Sequence, residues 1–241
     1  MNIVLNIILF IIGCVAGGIC AIQARDIPKM LDLKKTHYSR KKNATLISEM
    51  TYIFIGGVSA VVLANVVELG NNYFDLSSII IYIFSMIYVS TLVLIGGMDR
   101  VYSKIEKQTL AFGIITSILY MLYLCAVDLA SIHLNVIYLA IYMILLIIDS
   151  FLLRRFAKDS YIVDLLLVLV MILVFTDLKI LTYTLIMALI AVGLQVLLLN
   201  FQKKQNGNKK IKINDIPVGF FVVASNVIVL FMVRIFENYL I

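Results

Sequence analysis

Residues 77–102 read SSIIIYIFSMIYVSTLVLIGGMDRVY, an apolar run that ends on Gly-Gly-Met and then Asp99. No residue from Ser77 to Met98 is charged. A helix of this length can cross the ~30 Å hydrocarbon core of a bilayer, so the stretch predicts a transmembrane helix. The stretch alone does not show whether Asp99 is the first solvated residue of a loop or a catalytic carboxylate held at the membrane surface.

The composition of the whole chain also indicates a membrane protein. Of its 241 residues, 63% are hydrophobic and 14% are charged, and the mean hydropathy is +1.06. A soluble domain has about half apolar and about a quarter charged residues. The apolar runs do not alternate with polar residues as the strands of a membrane β-barrel do. We therefore predict an all-α, polytopic integral membrane protein in which residues 1–241 form a single membrane-embedded domain.

The apolar runs predict eight transmembrane helices. They cover residues 2–23, 47–67, 77–98, 109–127, 134–153, 161–176, 179–200 and 216–236. The first run lacks the basic region and the small-residue cleavage site of a signal peptide, so we expect it to be retained as a span.

The basic residues predict how these spans are oriented. The predicted cytoplasmic loops are 24–46, 99–108, 154–160 and 201–215, and they hold all of the 20 Lys and Arg residues except Lys179 and Arg234. The positive-inside rule then places both termini outside, in a multi-pass protein of the cell inner (plasma) membrane. The basic residues that give the net charge of +6 therefore orient the protein in the membrane and attract anionic lipid. We expect membrane lipid and no nucleic acid as a partner.

Charged residues inside a bilayer are costly, so each one is expected to have a partner, a water-filled cavity or a function. Asp164 lies about one helical turn inside the cytoplasmic face, at the start of the sixth predicted span. Asp99 ends the third predicted span at the same face. The charge pattern therefore predicts two carboxylates at similar depth on the same side of the membrane.

Two carboxylates in a poorly solvated site tend to share a single proton. One of them can then deprotonate water while the other protonates a scissile carbonyl, as in aspartic proteases, and proton-coupled transport can use the same kind of pair. Simpler alternatives are structural: Asp99 as a helix-end residue, Asp164 stabilised by the helix dipole, Asp149 paired with Arg154, and Glu49 paired with the first basic loop. The residues alone leave a protease, a transporter and a structural protein open.

Two stretches resemble the catalytic motifs of the type IV prepilin peptidases, a family of intramembrane aspartyl proteases. GGMDRVYSKIEKQTL (96–110) is similar to the first motif, with Asp99 and Ile105 matching and Glu106 where proline is usual. AKDSYIVDLLLVLV (157–170) is similar to the Gly-x-Gly-Asp motif, with Asp164 matching. In this second stretch the two glycine positions are taken by Tyr161 and Val163.

Three further stretches resemble the same family. DIPVGFFVVASNVIVL (215–230) is similar to its Pro-Phe-Gly-Pro-Phe segment, with Pro217, Gly219 and Phe221 matching. GCVAGGICAIQARDIPKM (13–30) resembles the glycine-bearing first span, and Glu49 in TLISEM resembles the acidic residue that opens the second. The matches occur in the family's order and cover nearly the whole chain.

The resemblance implies an intramembrane aspartyl endopeptidase that serves a type IV pilus or a protein secretion system. Such an enzyme removes a basic leader peptide from prepilin-like proteins at the cytoplasmic face, so a prepilin-like substrate is the expected partner. Asp99 and Asp164 would share the catalytic acid and base roles. The residues implied to support them or to line the substrate cleft are Glu49, Tyr161, Val163, Pro217 and Gly219.

The departures from the family limit what the resemblance implies. Many bacterial members carry a four-cysteine zinc site in the first cytoplasmic loop and methylate the new N-terminus with S-adenosylmethionine. Loop 24–46 contains no cysteine, so we expect no metal and no cofactor, and methyltransferase activity is doubtful. Because Tyr161 and Val163 are bulky, a catalytically silent relative that binds pilin-like partners is the first alternative. A small proton-coupled transporter that uses Asp99, Asp149 and Asp164 is the second.

Overall fold

The computed structural model describes residues 3–30, 45–66, 75–102, 105–153, 155, 160–176, 178–206 and 216–240. In these residues the regular secondary structure is helical and contains no strand, which confirms the predicted all-α class. The helices are α1 (Ile3–Met30), α2 (Thr45–Val66), α3 (Leu76–Tyr102), α4 (Lys107–Val127), α5 (Ile132–Ile147), α6 (Ser160–Phe175), α7 (Leu178–Asn206) and α8 (Val218–Leu240). A π-helical segment, Ile148–Leu153, continues α5.

Many of these helices have the length and composition of membrane spans. Within the described residues, five stretches are long and apolar enough to cross a membrane: Ile3–Gln23, Leu76–Arg100, Lys107–Val127, Ile132–Phe151 and Leu178–Leu198. Three shorter apolar helices cover Glu49–Asn65, Tyr161–Phe175 and Val218–Val233. In the α5 and α7 stretches only 17% of the most apolar window is buried inside the protein. Such extensive exposed apolar surface is compatible with a membrane protein and is rare on soluble monomers.

Several helices continue past the predicted loop boundaries. Helix α1 runs to Met30, α3 to Tyr102 and α7 to Asn206. Lys, Arg and Gln are good helix formers, so a helix does not have to end where its charged residues begin. The π-helical segment at the end of the fifth predicted span, which contains Asp149, was not predicted from the sequence.

Helix α3 lies at the centre of the bundle, where it packs against α1, α2, α4 and α8. Its residues Leu92 and Ile95 are fully buried, and so are Val168, Met171 and Ile172 of α6. All five belong to one apolar cluster. The core therefore joins the helices that carry the two candidate catalytic aspartates.

Glycines permit the closest helix contacts. Gly13 and Gly17 of α1 contact the α2 backbone at Gly56 and Tyr52, where any side chain would overlap main-chain atoms. This is the small-xxx-small packing of membrane helices. The contact fixes α2 beside α1 and so determines which face of α2 points at α3.

The Gly-Gly pair before Asp99 lets two helices approach α3. The Tyr52 hydroxyl of α2 occupies the space that a side chain on Gly97 would fill. On Gly96, a Cβ atom would lie 3.1 Å from Val223 of α8. The pair therefore allows α2 and α8 to pack against the last turns of α3, and α8 reaches Asp99.

Candidate functional site

Asp99 lies in the last turns of α3, and its side chain is buried, with 0% of its surface exposed. It is therefore not the solvated helix-end residue that was the simplest alternative from the sequence. A carboxylate removed from water needs hydrogen-bond donors, because its desolvation is costly. The residues that donate hydrogen bonds to Asp99 therefore define the candidate site.

The Asp99 carboxylate is held by two other helices. Its Oδ2 accepts a hydrogen bond from the Phe220 N–H of α8 at 2.8 Å and one from the Tyr161 hydroxyl of α6 at 3.0 Å. The Tyr161 hydroxyl also accepts a hydrogen bond from the Gly219 N–H at 3.0 Å. We call these four residues the Asp99 cluster. In the part of the chain that the structure describes, the buried Oδ1 of Asp99 has no hydrogen-bond partner.

The cluster satisfies the free N–H groups at the start of α8. The first four N–H groups of a helix have no partner within it. The Val218 N–H donates to Ile216 O at 2.9 Å and the Phe221 N–H to Pro217 O at 3.3 Å. The two N–H groups between them donate to Tyr161 and Asp99. Asp99 is thus an N-terminal cap of a helix that lies more than a hundred residues away in sequence, at the end whose dipole favours a negative charge.

Gly219 makes room for this cap. A Cβ atom at this position would lie 3.0 Å from Asp99 Oδ2 and 3.5 Å from the Tyr161 hydroxyl oxygen. Pro217 directly precedes α8, where its missing N–H leaves no donor unpaired. The two residues implied by the Pro-Phe-Gly-Pro-Phe resemblance therefore lie at the start of α8, and Gly219 contacts Asp99.

Asp164 is the second buried carboxylate, with 3% of its surface exposed. It lies three residues after Tyr161 in α6, so the two side chains project from the same face of the helix. The contact between Asp99 and α6 is therefore made one helical turn from Asp164. Val163 is also buried, and α6 is regular around it. A β-branched residue fits that conformation, and no unusual backbone angle is required there.

Glu49 is not part of the Asp99 cluster. It lies on α2 and is half-buried. Tyr52, three residues further along the same helix, reaches α3 at Gly97. The basic loop that was expected to pair with Glu49 lies largely outside the described residues.

Phe220 is a site residue that the sequence did not indicate. It contributes its backbone N–H to Asp99, and a backbone group leaves no signal in the choice of side chain. Its ring lies beneath the exposed Arg100, whose guanidinium carbon is 5.1 Å from the ring centre. This cation–π contact further ties the end of α3 to the start of α8.

Glu106 explains one departure from the family motif. It is the N-cap of α4, and its carboxylate accepts hydrogen bonds from the Gln108 N–H at 2.9 Å and from the Thr109 N–H. Proline near a helix start and an N-cap carboxylate both deal with unpaired N–H groups. At the start of α4, the Glu106 carboxylate therefore does by hydrogen bonding what proline does in the resembled motif by having no N–H group.

Asp149 is a further buried carboxylate, in the π-helical segment after α5. Its expected partner Arg154 lies outside the described residues. Within the described ranges no group of three or more His, Cys, Asp and Glu side chains could hold a metal ion. The three cysteines, Cys14, Cys20 and Cys125, are free thiols.

No family model, no curated protein and no solved structure matches this chain. Function is therefore inferred from the residues themselves and from the geometry of the Asp99 cluster. In that geometry one carboxylate oxygen accepts from two donors and the other has no hydrogen-bond partner among the residues that the structure describes.

Proposed function

We propose that this protein is an intramembrane aspartyl endopeptidase that removes the basic leader peptide from prepilin-like proteins at the cytoplasmic face. Asp99 and Asp164 share the acid and base roles. The observation that carries the proposal is the half-paired Asp99 carboxylate. Its Oδ2 accepts two hydrogen bonds, whereas the buried Oδ1 accepts none within the described residues. A buried acceptor without a partner is unfavourable for stability, so its presence favours a role in binding water or a peptide group.

The second carboxylate supports the same reaction type. Asp164 is buried on the face of α6 that carries Tyr161, the side chain bonded to Asp99. In an aspartic protease one carboxyl group activates water while the other donates a proton to the carbonyl. Such a reaction needs two carboxyl groups at one end of the bundle and protected from bulk water.

The proposal includes the orientation in the membrane. Eight helices cross the cell inner membrane, both termini lie outside, and the four basic loops lie in the cytoplasm. Asp99 is followed directly by Arg100 at the end of α3, so the site lies near the cytoplasmic surface. A leader rich in basic residues would approach from that side.

A catalytically silent relative is the second candidate, and one observation favours it. The Tyr161 side chain lies against Asp99, where the resembled family has a glycine, and Asp99 has no exposed surface. In that case Asp99 acts only as the cap of α8. An asparagine at this position would keep an oxygen acceptor for the Phe220 N–H, so the two candidates predict different results for the same variant.

Proton-coupled transport has less support. From Asp99 toward the other end of the bundle, α3 and α8 carry the buried Thr91 and Ser225 and then the Asn226 network, in which Tyr88 donates to Asn226 at 2.7 Å and Asn226 donates to Thr184 at 3.1 Å. Leu92 and Ile95 of α3 lie between Tyr88 and Asp99 and are fully buried. Transport needs polar groups or water through the membrane, and Leu92 and Ile95 supply neither.

The test is cleavage of a prepilin-like substrate by the purified protein in micelles. Asp99→Asn and Asp164→Asn are each expected to lower the cleavage rate by at least about 100-fold, because they remove an acid or base. Glu106→Gln is the matched control, since Glu106 is also a buried carboxylate that caps a helix. It is expected to cleave at a rate close to that of the wild type.

The possible outcomes separate the candidates. Wild-type cleavage rates in both asparagine variants would show that the two aspartates are not the catalytic pair. A wild type that cuts no prepilin-like substrate, while Asp99→Leu unfolds and Asp99→Asn remains folded, would favour the silent relative. Folding is checked in every variant by the helical circular dichroism signal and its thermal midpoint.

A further inference from the structure

We infer that Tyr161 is a positioning residue whose hydroxyl occupies the place of a substrate carbonyl oxygen and must swing away before Asp99 can react. This inference rests on the proposed peptidase function. The Tyr161 hydroxyl oxygen lies 3.0 Å from Asp99 Oδ2 and 3.0 Å from the Gly219 nitrogen. It is therefore held between a carboxyl group and a backbone donor.

A peptide carbonyl in a cleft of this type needs the same two neighbours. The carboxyl group supplies the proton, and a backbone N–H at a helix N-terminus stabilises the developing negative charge on the oxygen. The Gly219 N–H has this position at the start of α8, and in the structure it donates to the Tyr161 hydroxyl. A substrate oxygen that replaces the phenol oxygen would gain both contacts.

The phenol is also the movable part of the enclosure around Asp99. The other contacts to Oδ2 come from α8: the Phe220 N–H and the backbone of Gly219, where a Cβ would already lie 3.0 Å away. Those atoms are fixed by the helix. Tyr161 lies in the first turn of α6, and rotation about its side-chain bonds breaks its hydrogen bonds to Asp99 and Gly219 without unwinding the helix.

The presence of tyrosine at residue 161, where the resembled family has glycine, changes how a substrate reaches Asp99. A glycine there would leave the carboxyl group and the Gly219 N–H open to a substrate, whereas tyrosine makes each substrate compete with an internal group. A binding-competent state that is only partly populated lowers the apparent affinity in proportion. The tyrosine therefore keeps Asp99 covered until a peptide of sufficient affinity enters.

The test is chemical labelling of Asp99 with a hydrophobic carbodiimide, which modifies carboxyl groups within membrane proteins. The full-length protein in micelles is labelled, digested and analysed by mass spectrometry, with Glu106 as the internal reference. Tyr161→Ala and Tyr161→Leu both remove the hydroxyl that reaches Asp99, and leucine preserves more of the apolar packing. Ile162→Ala is the matched control, because Ile162 is the exposed neighbour of Tyr161 on α6.

We expect Asp99 to be labelled several-fold faster in the Tyr161 variants than in the wild type or Ile162→Ala, with the Glu106 rate unchanged. Equal Asp99 rates in all four proteins, or an equal rise in Ile162→Ala, would overturn the inference. In the cleavage assay Tyr161→Ala is expected to lower KM, because the substrate no longer displaces the phenol. A raised KM in that variant would contradict it.

The labelling result does not require cleavage, so the two proposals can fail separately. Faster labelling in a protein that cuts no prepilin-like substrate would refute the peptidase function and leave Tyr161 as the cover of Asp99. Unchanged labelling in a protein that does cleave would refute the role of Tyr161 alone.

Discussion

Asp99 and Glu106 are buried carboxylates at the same end of the bundle, and both cap the N-terminus of a helix. Glu106 caps its own helix, α4, and each of its oxygens accepts a backbone N–H. Asp99 caps α8, a distant part of the chain, and uses only Oδ2 for this. Its Oδ1 stays unpaired within the described residues.

The difference shows that burial of a carboxylate does not by itself indicate a reactive site. A local cap is fixed by the few residues around it, so the chain can pair both oxygens of Glu106. A cap supplied by another helix depends on packing, and here it leaves one oxygen of Asp99 for another partner. Incomplete pairing is therefore the feature that distinguishes Asp99 from Glu106.

The largest effect on stability is expected when the Asp99 side chain, which caps α8 from α3, is removed. Asp99→Leu leaves the Phe220 N–H and the Tyr161 hydroxyl without their acceptor in a buried site, which should lower the free energy of unfolding by about 2–4 kcal/mol. Glu106→Met removes only an N-cap and should lower it by about 1 kcal/mol. Titration with a denaturing detergent, followed by circular dichroism, measures both. A larger loss for Glu106→Met would reverse the comparison.

A fully paired buried group should affect stability and leave activity intact. Asn226→Leu leaves the Tyr88 hydroxyl unpaired and is expected to lower the free energy of unfolding by about 1–2 kcal/mol. The double variant with Tyr88→Phe should lose less than the sum of the single changes, because both partners are then apolar. Cleavage per folded molecule should equal that of the wild type. Loss of cleavage in a folded Asn226→Leu protein would show that incomplete pairing does not mark the site.

A double-mutant cycle measures the contact between Tyr161 and Asp99. Combining Tyr161→Phe with Asp99→Leu, which removes the acceptor oxygen, should give a coupling energy of about 1 kcal/mol, the upper range for a hydrogen bond between membrane helices. Tyr161→Phe combined with Glu106→Gln should be additive, because the Glu106 carboxylate bonds to the start of α4 and not to Tyr161. Both cycles use unfolding free energies in the same detergent system. Coupling in the second cycle and none in the first would contradict the assigned contacts.

The smallest effect is expected from Glu106→Pro, which introduces the residue that is usual in the resembled family. Glu106 has φ −78° and ψ 125°, values that proline adopts, and its predecessor Ile105 is not helical. The loss of the carboxylate cap is partly offset by the fixed backbone, so the change should be under about 1 kcal/mol. A thermal midpoint in micelles tests this. A severe loss would show that the Glu106 carboxylate has a role beyond starting α4.

The sequence predicted much of the helical layout. Each of the eight apolar runs overlaps one of the helices, because hydrophobic length and helix-breaking residues act locally. The placement of Asp99 and Asp164 at one end of the bundle also followed from alternating charge. The π-helical segment at Asp149 was missed, because one extra residue in a helical turn leaves no pattern in hydropathy.

The contacts of Asp99 were beyond what the sequence could show. Tyr161 was noted as a bulky departure from glycine, and only the structure shows its hydroxyl bonded to Asp99. Phe220 contributes a backbone N–H, which every residue except proline has. Gly96 and Gly97 were visible in the sequence, but which helices they admit became clear only from the packing of Val223 and Tyr52.

The sequence by itself determined that this protein consists of apolar helices, and it placed two aspartates at one end of them. Both conclusions depend on properties that each residue carries alone, namely hydrophobicity and charge. The tertiary structure decided that Asp99 is a buried, half-paired cap and that Tyr161 covers it. Those contacts join residues 62 and 121 positions apart, and they depend on how helix surfaces fit together, which no local pattern encodes.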